Sequence, residues 1–275
     1  MAVVAIAGGL GAPGATTVAM ALLMTWPLPE GHRVVLAEAD PDGGAILPGA
    51  LQGTLGNTHG LRHLAVAGRQ GQLGEAFWRQ LVDVTDAGTR DRLVLPGLYD
   101  PAHAFAMEPV WKPLAGLFAG IEGHGHDVLV DLGRRGAVGS SAVLAQRADA
   151  VVVVARNTLR GLQSANVRLK ALREVVGGAG EVGVLLVDEG PYSKDEVRKR
   201  LEVPVTAVLP WRPKDAKVLS DGAEPPRRFE SGELMRAARS AAVRVQELVA
   251  IRRSRLAPPQ LPPGTVTAGG VDGAR

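Results

Sequence analysis

The chain has 275 residues, 46% of them hydrophobic and 21% charged, and its 31 basic and 28 acidic side chains leave a net charge of +3. That is enough material for one large α/β domain with a buried core, and it is unlike a disordered or collagen-like chain. The absence of cysteine excludes disulfides, thiolate metal sites and thiol nucleophiles and fits a reducing cytoplasm, while so small a charge surplus does not by itself point to nucleic acid.

Ala2 to Ala7 is a continuous apolar run closed by Gly8 and Gly9, too short for a helix and suited to a strand buried on both faces. Met1 to Leu10 lacks a basic leader segment and a small-residue cleavage pattern, so it reads as a first strand rather than a secretory signal. Thr16 to Thr25 is rich in Ala, Leu and Met and is stopped by Pro27 and Pro29, which predicts a helix. Arg33 to Ala37 follows as a second strand ending in Glu38-Ala39-Asp40-Pro41, completing a βαβ unit.

The region from Leu47 to Gly123 has no sustained periodicity; Leu93 to Leu95 is a candidate strand and Pro109 to Ile121 a candidate helix. Asp127 to Asp131, Ala150 to Ala155, Val182 to Val187 and Val205 to Leu209 are further short apolar strands separated by helical stretches. This alternation predicts a mainly parallel sheet with helices on both faces. Glu233 to Leu256 reads as a final helix with Leu234, Ala238, Ala241, Val245 and Leu248 on one stripe. Residues 1–256 are expected to form one domain. The Pro- and Gly-rich stretch 257–275 is expected to be disordered. No apolar run approaches the ~20 residues of a membrane-spanning helix, and the expected location is cytoplasmic.

Gly9-Leu10-Gly11-Ala12-Pro13-Gly14-Ala15-Thr16 lies between the first strand and the first helix. Its spacing is that of a G-x-x-x-x-G-K-[ST] phosphate loop, with Ala15 in place of the lysine. Such a loop turns backbone N–H groups toward phosphate oxygens at a helix N-terminus. Those parts remain, as do Thr16, whose hydroxyl suits Mg²⁺, and Thr17. The second strand ends in Glu38-Ala39-Asp40-Pro41-Asp42-Gly43-Gly44, and His126-Asp127-Val128-Leu129-Val130-Asp131 closes a buried strand with an acid, where parallel sheets bind ligands.

Gly11 to Thr17 resembles the deviant Walker loop K-G-G-x-G-K-T-T of the ParA/MinD family of P-loop NTPases. Leu10 stands at that family's signature lysine and Ala15 at its ordinary Walker lysine, and the first lysine in the chain is Lys112. Glu38 to Gly43 resembles the family's D-x-D-P-x-G, which implies Glu38 and Asp40 as the water-activating and magnesium-side acids. His126 to Asp131 resembles its Walker B strand, which implies Thr16, Asp40 and Asp131 as the Mg²⁺ side of the site. Val184 to Asp188 and Val203 to Pro210 resemble its base-binding segments, with Val187 or Asp188, Pro210 and Trp211 beside the base and Gly9, Gly11, Ala12, Pro13, Gly14, Ala15, Thr16 and Thr17 around the phosphates. Trp211 can stack on a base or cover core.

The resemblance implies ATP or another nucleotide with Mg²⁺ as cofactors, a homodimer and a protein partner, and the divergence is closest in style to the TadZ/CpaE group. With both lysines replaced, the expectation is a positioning or scaffold protein with a degenerate nucleotide site, a weak or inactive ATPase. Two alternatives stay open: an active ATPase in which an arginine replaces the lysine, Arg134 and Arg135 being candidates, and a DNA-associated partition protein. The Ala-rich final helix offers few bulky side chains to a bilayer, so membrane attachment is not favoured.

Overall fold

The computed structural model describes residues 2–256 other than 10, 12, 13, 57, 86 and 178–180. The expected tail 257–275 and the expected phosphate-loop residues Ala12 and Pro13, together with Leu10, lie outside the described residues.

Eight strands form one sheet: β1 (Val3–Gly8), β2 (Arg33–Glu38), β3 (Val82–Asp83), β4 (Arg92–Leu95), β5 (His126–Asp131), β6 (Ala150–Arg156), β7 (Glu181–Asp188) and β8 (Val205–Pro210). Their order is β3-β4-β2-β5-β1-β6-β7-β8. Every described pairing is parallel except that of β3 with β4. The apolar runs are strands because they are covered twice. Along β1, Val3, Ala5 and Ala7 enter one core, whereas Val4 and Ile6 enter the other, as the two-residue period of a strand requires.

On the first face lie α2 (Leu61–Arg69), α3 (Leu73–Arg79), α4 (Glu108–Glu122), α5 (Val143–Gln146), α6 (Leu159–Val176) and α7 (Lys194–Leu201). On the other are α1 (Ala15–Thr25), α8 (Pro213–Asp221) and α9 (Glu233–Leu256). The region without periodicity thus holds α2, α3 and the two-residue β3, elements too short or too glycine-broken to show a repeat. The candidate strand at Leu93 to Leu95 and the candidate helix at Pro109 to Ile121 are both present, each slightly longer than expected.

Helix α9 docks on the sheet beside α1. It buries Leu234, Met235, Ala238, Ala241, Ala242, Val245 and Val249, while Leu248 of the expected stripe is only partly buried. The face is wider than a single stripe because the 3.5-residue spacing of that stripe drifts against the 3.6-residue turn over a 24-residue helix. Ala241 and Ala242 are fully covered, so a larger side chain there would overpack the interface at a cost of roughly 1–3 kcal/mol. The helix end is held as well: Arg253 pairs with Asp149 at 2.7 Å, Arg255 with Glu181, and Arg252 donates to the carbonyl of Ala148. Among the described residues no helix is long and apolar enough to cross a membrane.

Candidate nucleotide site

The C-terminal ends of the parallel strands bring the three sequence motifs together. Strand β1 delivers the loop from Gly9, and α1 starts after Gly14, whose φ of 91° and ψ of 34° lie in the left-handed region that glycine adopts freely. Among the described residues no side chain caps α1, and its first turn carries no acid, so its first N–H groups and its positive dipole end suit an anion. Ala15 is buried, whereas Thr16 and Thr17 are half-exposed at the start of the helix. A methyl group therefore stands where the resemblance places an ammonium.

Glu38 and Asp131 end neighbouring strands and are paired in register. Asp131 is fully buried. Its Oδ1 accepts from the Gly133 amide at 2.8 Å, and its Oδ2 is buried without a hydrogen-bond partner among the described residues. Burial, with a smaller push from the charge of Asp40, lifts its pKa from 3.8 to about 6 against the Thr16 hydroxyl and the Gly133 amide. A buried carboxylate oxygen without a partner is costly unless a cation or a proton meets it. The Thr16 hydroxyl and Asp131 are thus a donor set that fits Mg²⁺. No group of three or more His, Asp or Glu among the described residues forms a metal cage. An ion at Thr16 and Asp131 would therefore take its other ligands from phosphate and water, as Mg²⁺ commonly does.

Glu38 is hydrogen-bonded through both of its carboxylate oxygens. One carboxylate oxygen accepts from the amides of Ala45 and Ile46, the latter at 3.0 Å, and the other accepts from Gly97 at 2.8 Å. The side chain ties the segment after β2 to the segment after β4. A Cβ at Gly44 or Gly97 would fall 2.6 or 2.9 Å from its Oε2. Burial, then the nearby Asp131 charge, raise its pKa from 4.5 to about 7 in spite of the three amides.

Asp40 holds the loop after β5. Its Oδ2 accepts from the amide of Arg134 at 2.7 Å, and its Oδ1 from Arg135 and Asp42 at 3.3 and 3.0 Å. The side chains of Arg134 and Arg135, candidates for meeting phosphate, pair instead with Asp42 at 2.7 and 3.6 Å. Beneath them Arg168 of α6 donates to the carbonyls of Gly8 and Arg134, fixing the start of the phosphate loop to the same segment.

Pro210 and Trp211 line a cavity of about 290 Å³ with Gly14 and Thr17. Asp188 stands apart from that cavity: its carboxylate accepts from Asn157 Nδ2 at 2.6 Å. Asn157 is buried, and its amide also donates to the carbonyls of Gly190 and Tyr192. Arg156, Asn157 and Arg168 did not emerge from the sequence, since nothing in their local pattern marks them. Only the tertiary fold carries α6 and the end of β6 to the loop.

The backbone is matched by solved structures along most of its length. The septum site-determining protein MinD of Pyrococcus horikoshii OT3, complexed with Mg-ADP, superimposes with a TM-score of 0.65 at 17% identity over 91% of this chain and 98% of that one. A ParA family ATPase from Chlorobium tepidum TLS gives 0.64 at 12% identity over 88% and 98%. The chain has the fold of the MinD and ParA P-loop proteins. A MinD-like fold also matches in the MinC:MinD cell division complex of Aquifex aeolicus, with a TM-score of 0.65 at 17% identity over 90% of this chain and 96% of that chain. No family model and no curated protein matches the sequence.

Proposed function

We propose that this chain is a MinD/ParA-like positioning or scaffold protein with a degenerate nucleotide site, which binds a Mg²⁺-nucleotide weakly, turns it over slowly or not at all, and acts through self-association and a protein partner. The observation that carries this reading is the start of α1: Gly14 and the uncapped first turn keep the anion-binding geometry, while Ala15 provides no charge there. Thr16 and Asp131 keep the magnesium side. Glu38 is engaged by three amides and serves the loops more than an attacking water, since catalytic placement tolerates little displacement.

A protein partner is supported by the MinC:MinD complex among the structures sharing this fold. In that scheme Thr16, Asp131 and, through the loop it holds, Asp40 sense the ligand. Pro210 and Trp211 border the base. The test is light scattering of the full chain with and without Mg-ATP, with phosphate release followed in the same samples. Nucleotide-linked self-association without steady-state hydrolysis is expected; a chain that stays monomeric under all conditions, or one that hydrolyses ATP briskly, contradicts the reading.

A further inference from the structure

Two cavities flank the phosphate loop. The first, already described, includes Gly14, Thr17 and Trp211. The second, of about 320 Å³, is lined by Gly9 and Gly11 at the other end of the loop and by Gly161 and Ser164 of α6. One charged side chain, Arg156 at the end of β6, lines both. The register explains its position: Gly8 at the end of β1 is paired with Val154, two residues before it.

The state of Arg156 is unusual for a surface arginine. Its guanidinium lies 4.7 Å from the centre of the Trp211 ring and one terminal nitrogen pairs with Glu189 at 3.0 Å. Its Nε is buried and has no hydrogen-bond partner among the described residues. A buried N–H without an acceptor is costly, and a charged one more so. Arginine also presents donors in a flat fork that matches phosphate oxygens. Arg134 and Arg135 pair with Asp42 and Arg168 is used by two main-chain carbonyls, while Arg160 lines only the second cavity and Arg212 and Lys217 only the first.

We propose that Arg156 is the phosphate-binding cation of this chain, supplying from the end of β6 the charge that Ala15 does not supply from the loop, and that Trp211 and Glu189 hold it between the two cavities until a nucleotide arrives. The inference rests on the nucleotide-binding reading above and deepens it. Because Nε is buried, a phosphate oxygen first meets the terminal nitrogens of the guanidinium and reaches Nε only when the side chain shifts. Glu189 competes with the ligand for the same guanidinium.

The test is calorimetric titration of the full chain with AMP and with ADP in the presence of Mg²⁺, on the unmodified protein and on Arg156→Ala, Arg156→Lys and Glu189→Gln. ADP affinity should fall ten- to a hundredfold in Arg156→Ala, AMP affinity should fall much less, and Arg156→Lys should recover part of the loss. Glu189→Gln, which removes the competing carboxylate without touching the cation, should tighten ADP binding several-fold. ADP affinity within twofold of the unmodified chain in Arg156→Ala overturns the inference and leaves the binding reading intact. Equal losses for AMP and ADP also overturn it, because they make Arg156 a wall of the base cavity. No ADP binding by the unmodified chain overturns the nucleotide reading itself, and the inference with it.

Discussion

Glu38 and Asp131 face each other in register across β2 and β5, two nearly inaccessible acids whose pKa values are lifted to about 7 and about 6. Between the ordinary carboxylate range and these values the folded chain keeps protons that the unfolded chain has lost. Raising the pH through that window therefore favours unfolding. For Glu38 alone a rise from 4.5 to about 7 corresponds to roughly 3 kcal/mol. In metal-free buffer, urea midpoints should fall between pH 5 and pH 8, and the fall should be smaller in Glu38→Gln. The same fall in both proteins would show that Glu38 contributes none of it.

Gly133 sits at a φ of 49° directly against Asp40, where a Cβ would overlap the carboxyl group. Gly133→Ala should displace Asp40 from the amides of Arg134 and Arg135 and destabilise the fold by about 2 kcal/mol, within the usual range for overpacking. Chemical denaturation measures this. A change under 0.5 kcal/mol, the size of an ordinary surface substitution, would mean that the loop after β5 can move aside.

Ala15→Lys should raise nucleotide affinity more than turnover. A charge-assisted phosphate contact contributes about 1.5–3 kcal/mol, or some ten- to a hundredfold in affinity. Glu38 would still be held by Ala45, Ile46 and Gly97. Calorimetry and phosphate release on the variant separate the two effects, and fast turnover from this single change would show that the acids are already competent.

Helix α9 is committed to the sheet by its alanine-rich face and by the Arg253–Asp149 and Arg255–Glu181 pairs. Anionic liposomes should therefore not retain the protein at physiological salt, where exposed charge is screened within about 8 Å. Co-sedimentation that persisted at that salt and disappeared on truncation after Ser231 would contradict the docked assignment.

The central strands were legible in the sequence because burial on both faces makes them unbroken apolar runs. The glycine-rich turn between β1 and α1 was legible because glycines recur at fixed spacing between a strand and a helix. The sheet edge was not: β3 has two residues and no period. Helix α8 was missed although Pro213 occupies its first turn, since nine residues opened by Pro and ended before Gly222 resemble a turn-rich linker. Motif spacing also gave Glu38 a place but not a conformation. That its carboxylate turns toward Gly97 depends on a glycine 59 residues away, and the position of Arg156 over Trp211 depends on the order of β6, β7 and β8.

We infer that the loop between β1 and α1 still binds a nucleotide, weakly, through its backbone and its magnesium-side residues. Calorimetric titration of the intact chain with ADP, with Mg²⁺ and then with EDTA, tests it most directly. A dissociation constant in the micromolar range or weaker, on the order of −8 kcal/mol or less favourable, is expected, with a loss of affinity when Mg²⁺ is removed. Submicromolar binding indifferent to Mg²⁺, or no binding at millimolar ADP, would contradict it.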